Sequence, residues 1–552
     1  MRLSRFWFVS QGFTFFPRLM NWHFLWAGAL VLLAATILTA DATAQRNFSG
    51  TLTHRNDNAR TGQNLQELAL TPATVNQTQF GKIFSCAVDG YVYAQPLYVP
   101  NLAIPGQGSH NVVFVATEHD SVIAFDADNT ACAQLWTTSF IDPRAGITTV
   151  PSDDVLSADI VPEIGITGTP VIDAQAQTLY VVAKTKENGI YVQRLHALDI
   201  TTGAEKFGGP IVIQASVPGT GDGTDGVNIP FNALTQNQRA ALLLVNGVVY
   251  VAFGSHGDTD PYHGWLLGYD AATLQQVAAF NATPNGAQGG IWQTGGGPSA
   301  DSAGNIFVIT GNGTFDANAG GTDFGDSFLK LSASGGVLTP VDFFTPFNQA
   351  FLASADLDLG TTSPVLLPDQ TDTSHPHLAI GAGKDGNAYL VDRDNMGQFN
   401  PNDNTQIVQT IAVSSSAFFV FGSPAFWQNN VYFAPNLDPL KAFHLSGGLL
   451  SDSPTSQSSA TFGFLGASPM ISANGSTDGI VWLLDNNAFA TSGPSVLYAY
   501  DATDVSRELY DSTQAGSRDQ AGPAVKFTVP TVANGKVYVA GQNQVAVFGL
   551  LP

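Results

Sequence analysis

The sequence predicts an all-β chain folded as an eight-bladed β-propeller of four-stranded antiparallel blades. Three observations predict it. A phrase of small residues and proline followed by a short apolar strand recurs eight times. Each copy is followed by a β-branched or aromatic strand, and then by a third strand ending near an acidic residue. No amphipathic helical pattern lies between the copies, so the period belongs to a propeller and not to a helical solenoid. Seven intervals separate Pro96, in the first copy, from Pro530, in the last, at a mean of 62 residues each. One blade alone cannot bury both faces of its sheet, whereas eight in a ring share their cores and leave only short edges.

The clearest copy is TGTPVID at residues 167–173, followed by TLYVVA at 178–183 and RLHALDITTG at 194–203. The other starts are AQPLYV from Ala94, QRAALLL from Gln238, which lacks the proline, GGPSAD from Gly296, TSPVLL from Thr362, GSPAFW from Gly422, ASPMIS from Ala467 and VPTVAN from Val529. Gly, Asn or Asp at the turns between strands is the pattern of hairpins. The chain stops soon after QVAVFGL, leaving the eighth blade one strand short. FGKIFSCAV, at residues 80–88, is expected to supply that outer strand from the other end of the chain and close the ring. The polar stretch SDSPTSQSSA, at 451–460, reads as a long surface loop between two repeats.

Three domains are expected: a signal peptide at 1–44, a lead with the closing strand at 45–90, and the propeller at 91–552. Arg2, Arg5 and Arg18 precede an apolar run at 24–40, and Ala42-Thr43-Ala44 offers a small-x-small cleavage site. An uncleaved anchor is the alternative, although the run is barely long enough to span a bilayer. Without Arg2, Arg5, Arg18 and Asp41 of this segment, 18 basic and 43 acidic residues remain, a net charge of −25. Such a surface repels nucleic acid and anionic membrane, which are excluded as partners. The expectation is a secreted or periplasmic monomer with no stable membrane insertion after cleavage. Cys86 and Cys132 are the only cysteines. In an oxidising compartment they either form one disulfide between the closing strand and the first blade or remain two thiols.

In a propeller the loops joining second to third strands, and those leading from one blade into the next, emerge on one face. Polar insertions fall there. The loop GSHGDTDPYHG of blade three carries His256, Asp258 and His263, and the corresponding loop of blade four carries Asn312 and Asp326. The loop leading into blade two carries Asp159 and Glu163, the one leading into blade four Trp292 and Gln293, and the tight turn of blade five Lys384 and Asp385. This rim is the candidate ligand-binding surface, because loops on a rigid scaffold commonly carry function. Each residue also has a structural reading. His256 and His263 either ligate a metal or tie their own loop together. GDGTDG at 221–226 lacks the ligand spacing of a calcium loop and reads as a turn. Lys384-Asp385 reads as a hairpin turn first and as a catalytic lysine second, and Trp292 is either a stacking platform or a plug between blades.

ALDITTG at 197–203, with weaker copies AFDA, GYDA, LVDR and AYDA, resembles the repeat signature of the pyrroloquinoline-quinone (PQQ) type β-propellers across most of residues 90–550. THRNDNARTGQN at 53–64, PEIGITGTPVID at 162–173, HGDTDPYHGWLLGYD at 256–270 and GKDGNAYLVDRDNMG at 383–397 are similar to a secreted bacterial branch of PQQ-like repeat proteins. The resemblance implies eight blades. It also implies a possible cofactor pair, since quinoprotein alcohol and glucose dehydrogenases hold PQQ and Ca²⁺ over the channel beside a carboxylate base. Glu163 is the candidate calcium ligand on that reading. The adjacent cysteine pair of the alcohol dehydrogenases is missing, and only Leu135-Trp136 matches their repeat-closing tryptophan. A second relative, the lipoprotein scaffold of outer-membrane protein assembly, needs a lipid-attachment cysteine that this chain lacks after its cleavage site. The leading expectation is a ligand-binding or protein-interaction scaffold whose propeller face takes a small-molecule, carbohydrate or protein ligand. The alternative is a PQQ- and Ca-dependent dehydrogenase oxidising an alcohol or sugar.

Overall fold

Eight small antiparallel sheets surround a central channel in the computed structural model, which describes residues 50–334, 337–371, 373–415 and 419–552. The expected signal at 1–44 lies outside the described residues. No helix among the described residues is long and apolar enough to cross a membrane. The blades depart from a uniform four strands. Blade two gains Ile147–Pro151 and Glu163–Ile164 from its leading loop, and a separate hairpin, Ser216–Pro218 with Asn228–Pro230, precedes blade three. The stretch expected as a surface loop at 451–460 is a loop only in its first half. Ser456–Phe462 is an outer strand of blade six paired with Asp438–Ser446. Its side chains alternate between buried and solvent-facing positions, which a polar composition disguises.

The core lies between blades. One apolar cluster joins Tyr180, Val182 and Leu195 of blade two to Val249, Phe253 and Trp265 of blade three, and a similar cluster joins blade five to blade six. A blade therefore has no complete core without both neighbours. Phe80–Tyr91 closes the ring by pairing antiparallel with Lys536–Leu550, from Phe80 opposite Leu550 to Tyr91 opposite Gln542. Phe80 is fully buried, with ring centroids 5.0 Å from Tyr510 and 5.5 Å from Trp482. Cys86 of this strand is bonded to Cys132 of blade one, with Cα atoms 5.4 Å apart.

The repeated small-residue-plus-proline phrase faces the channel. The residue after each proline, or after Leu242 in blade three, opens the innermost strand. It pairs with a larger one: Val171 with Tyr180, Leu243 with Tyr250, Ala425 with Tyr432, Met470 with Trp482, Thr531 with Tyr538. Just before the proline, neighbouring blades come too close for larger side chains. A β carbon on Gly168 would lie 2.7 Å from Ala240 O, and one on Gly422 would lie 2.0 Å from Ala467 O. Hydroxyls at the position preceding proline bond blade to blade. Gln95 N donates to Thr169 Oγ1 (2.9 Å), Ser363 N to Ser423 Oγ (2.8 Å) and Ser423 N to Ser468 Oγ (3.2 Å).

Residues 51–64 cross the channel and touch the eight innermost strands in chain order. Thr51 bonds Tyr98 of blade one, Leu52 O accepts from Ile172 N, and Asn58 donates to Leu244 O while accepting at its own carbonyl from Ala300 N. Ala59 O, Thr61 O and Gly62 O accept from Leu366, Phe426 and Ile471, and Asn64 Nδ2 donates to Val532 O (2.9 Å). Arg60 donates to Pro298 O and Leu242 O, both at 3.0 Å, and Arg55 donates to Pro469 O (3.1 Å) and Pro424 O. The THRNDNARTGQN segment is thus a staple that ties the channel carbonyls together.

Candidate functional site

One repeat position decides the chemistry above the staple. Three residues before the channel proline, or before Leu242, the eight blades place Tyr93, Thr167, Arg239, Gly295, Thr361, Phe421, Gly466 and Phe527. Arg239, Phe421 and Phe527 of this ring meet in a cavity of about 300 Å³. The two phenylalanine rings are 5.7 Å apart, and the Arg239 guanidinium carbon lies 4.7 Å from the Phe527 centroid. Phe419, Phe464 and Phe489 extend the apolar wall, and Trp292 also lines the cavity with its ring centroid 6.5 Å from that of Phe421.

The polar lining is largely committed to itself. Lys384 Nζ reaches Asp356 (2.7 Å) and Asp358 (2.5 Å), and Lys526 Nζ reaches Asp159 (2.7 Å). Asp258 accepts from Tyr262 Oη (2.9 Å) and Ser255 Oγ (3.2 Å), and burial, with Asp358 nearby, raises its pKa above the usual carboxylate range. Arg239 differs from these. It is 5% exposed, its Nε has no partner, and its guanidinium makes no hydrogen bond or ion pair among the described residues. Burial lowers its pKa, with Asp159, Tyr93 and Glu118 acting in the other direction. A stacked, unpaired guanidinium in a concave wall is a ready donor fork for a carboxylate or phosphate.

Of the residues singled out from sequence, Asp159, Asp258, Trp292 and Lys384 line the cavity. Asn312 stands behind it: its N–H donates to Asp358 Oδ1 (2.8 Å) and its Nδ2 to Asp356 Oδ1 (3.2 Å). Gln293 is buried in the turn after Trp292 and does not line the cavity. Asp326 is also buried and holds the chain leading into blade five, accepting from Leu359 N (3.1 Å) and Gln349 Nε2 (3.2 Å). Asp385 serves its own turn, accepting from Tyr389 Oη at 2.5 Å. His263 ties loops together through Thr283 Oγ1 (2.9 Å) and Asp222 O (2.7 Å), while His256 Nε2 lies 2.7 Å from buried Lys184 Nζ. Glu163 is outside the cavity, bonded to His119 Nδ1 (3.0 Å) and Thr149 Oγ1 (2.7 Å). Among the described residues no three His, Cys, Asp or Glu side chains converge as a metal site. Lys384 Nζ sits 5.8 Å from the Trp292 ring centroid, so one face of that indole is already covered.

Arg239, Lys526, Asp356, Asp358 and the five phenylalanines were not singled out from sequence. A signal for Arg239 exists, because its position is the variable one beside two positions restricted mainly to small residues. It is legible only once the blades are aligned on their channel residue and Leu242 is accepted in place of proline.

No protein-family model matches this chain, and no curated protein matches it. Solved structures share its fold. A quinohemoprotein alcohol dehydrogenase from Pseudomonas putida HK5 is similar at a TM-score of 0.59 and 14% identity, covering 92% of this chain and 81% of that one. A europium-containing methanol dehydrogenase is similar at 0.58 and 12% identity, covering 92% and 99%. The chain has the propeller fold of these quinoproteins.

Proposed function

We propose that this chain is a ligand-binding propeller, exported from the cytoplasm, whose top-face cavity takes a small organic anion. The observation that carries the reading is Arg239, a buried cation with unused donors facing a concave aromatic wall. Leaving such donors unmet is unfavourable, and a ligand oxyanion would meet them. The signal-like segment at 1–44 supports a secreted or periplasmic location.

PQQ, the cofactor implied by resemblance, carries three carboxylates. The cavity offers them one uncommitted cation, since Lys384 and Lys526 are held by aspartates. Glu163, the candidate calcium ligand, is bonded elsewhere. The residues present therefore do not fit PQQ with Ca²⁺ on charge, and no catalytic step is derived through that pair. A second reading, alcohol oxidation by a bound quinone, draws support from the two dehydrogenases that share the fold and from Asp258, whose raised proton affinity suits a base. Fold alone does not assign that chemistry.

Thermal melts of the purified chain with PQQ, with and without Ca²⁺, and with small aromatic anions separate the two. Ligand at 100 times its Kd stabilises the folded state by about 2.7 kcal/mol. A shift with simple aromatic anions and none with PQQ and Ca²⁺ is expected. A calcium-dependent PQQ shift, with dye-linked alcohol oxidation, would establish the dehydrogenase instead.

A further inference from the structure

The cavity distinguishes between kinds of anion, an inference that rests on the ligand-binding reading. Its three cations face four carboxylates, Asp159, Asp258, Asp356 and Asp358. A polyanion would add to an acidic excess already present, in a chain with a net charge of −23. One anionic group is matched, because of the three cations Arg239 alone has no carboxylate partner. The rest of the wall is apolar: Phe527 lies under the guanidinium, Phe421 beside Phe527, and Phe464 6.3 Å from Phe421. Phe464 is 48% exposed. The apolar surface thus continues from the buried guanidinium to solvent. A large exposed aromatic at the mouth of a cavity is explained by a ligand whose body covers it.

We propose that the ligand is a hydrophobic monocarboxylate, with its carboxylate on Arg239 and an aromatic or alkyl body lying along Phe527, Phe421 and Phe464. The guanidinium fork donates to both carboxylate oxygens at once, and the rings exclude water from that contact. Recognition is noncovalent and requires no metal.

Calorimetric titration of the full chain with 2-naphthoate, 2-naphthol, dodecanoate and PQQ tests this. Naphthoate should bind at least about tenfold more tightly than naphthol, the discrimination expected of a charge-assisted contact. Arg239→Met should abolish that preference while retaining naphthol binding, and far-ultraviolet circular dichroism verifies that the variant folds. The comparison of the two naphthalenes on the unaltered chain remains informative if the variant does not fold. Equal affinity for acid and alcohol, or PQQ binding more tightly than either acid, would overturn the monocarboxylate assignment and leave the cavity as a ligand site. Failure of all four probes to bind would overturn the ligand-binding reading itself.

Discussion

Arg55 Nε donates to the main-chain carbonyl of Arg60 at 3.2 Å, which ties the side chain of one fully buried arginine to the backbone of the other inside the channel. Between them they collect carbonyls of blades three, four, six and seven. Four blade starts end their small-residue phrase with a carbonyl facing the channel, and a planar five-donor group satisfies several such acceptors at once. Carbonyls left without donors in a dry channel would be unfavourable, so the staple and the repeated phrase depend on each other.

Arg60→Met should therefore destabilise the whole ring. Besides Pro298 O and Leu242 O, Arg60 serves Thr53 Oγ1 and His54 O, both at 2.8 Å. Methionine keeps much of the volume and leaves all four acceptors unmet. At about 1–3 kcal/mol per unsatisfied buried group, partly offset by relaxation, a loss of roughly 3–5 kcal/mol is expected in urea denaturation. A loss under about 1 kcal/mol would show that water replaces the guanidinium.

Phe80→Ala should weaken ring closure. The phenyl ring is buried among Trp482, Tyr510 and Phe548, which belong to blades seven and eight. Phe→Ala in a packed core costs about 3–5 kcal/mol. Amide hydrogen exchange should show accelerated opening of Lys536–Leu550 before the other blades. Uniform acceleration around the ring would mean that closure is not the weak point.

The eight blades and the strand near Phe80 were legible in sequence because strand alternation and turn residues are local patterns. The rim was half legible. Loop position brought Asp159, Asp258, Trp292 and Lys384 to the cavity, yet the same reasoning brought His263 and Asp326, whose side chains hold loops. A polar residue in a long loop satisfies backbone groups as readily as it faces a ligand, and sequence carries no sign of which. Arg55 and Arg60 entered only through a phrase shared with a family, because a channel contact to Pro424 or Pro469 spans more than 350 residues. Arg239 escaped notice because Leu242 breaks the proline pattern of its blade.

Cys132→Ser should lower stability without unfolding the chain. The disulfide to Cys86 encloses a 46-residue separation and fastens the closing strand to blade one. Loss of such a loop constraint costs about 2–4 kcal/mol. The wild type in excess dithiothreitol should melt at the temperature of the variant. If reduction leaves the wild-type melting point unchanged, the bond contributes nothing and the apolar packing around Cys86 carries the junction.

Stability should fall as pH rises from about 4.5 to 7, through Glu118. Its carboxyl is fully buried. One oxygen accepts from Gly165 N (2.8 Å) and Thr167 Oγ1 (3.1 Å), and the other has no partner among the described residues. Burial raises its pKa to about 7, and burial with Glu118 beside it raises Asp120 well above the usual range. Below 4.5 folded and unfolded chains both hold the Glu118 proton. Between 4.5 and 7 only the folded chain holds it, so the unfolded state gains by releasing it and the folded state loses ground. The full effect, present above pH 7, is on the order of 3 kcal/mol. Lys184, lowered to about 7 by burial, acts in the opposite sense above pH 7, which sets the upper limit of the useful range. Glu118→Gln keeps an acceptor for Gly165 and Thr167 and has no proton to release. Its urea midpoint should change less than that of the wild type between pH 5 and 7, with the variant the more stable at pH 7. Parallel pH profiles for the two proteins would show that the buried carboxyl is already ionised at pH 5 and that another group neutralises it.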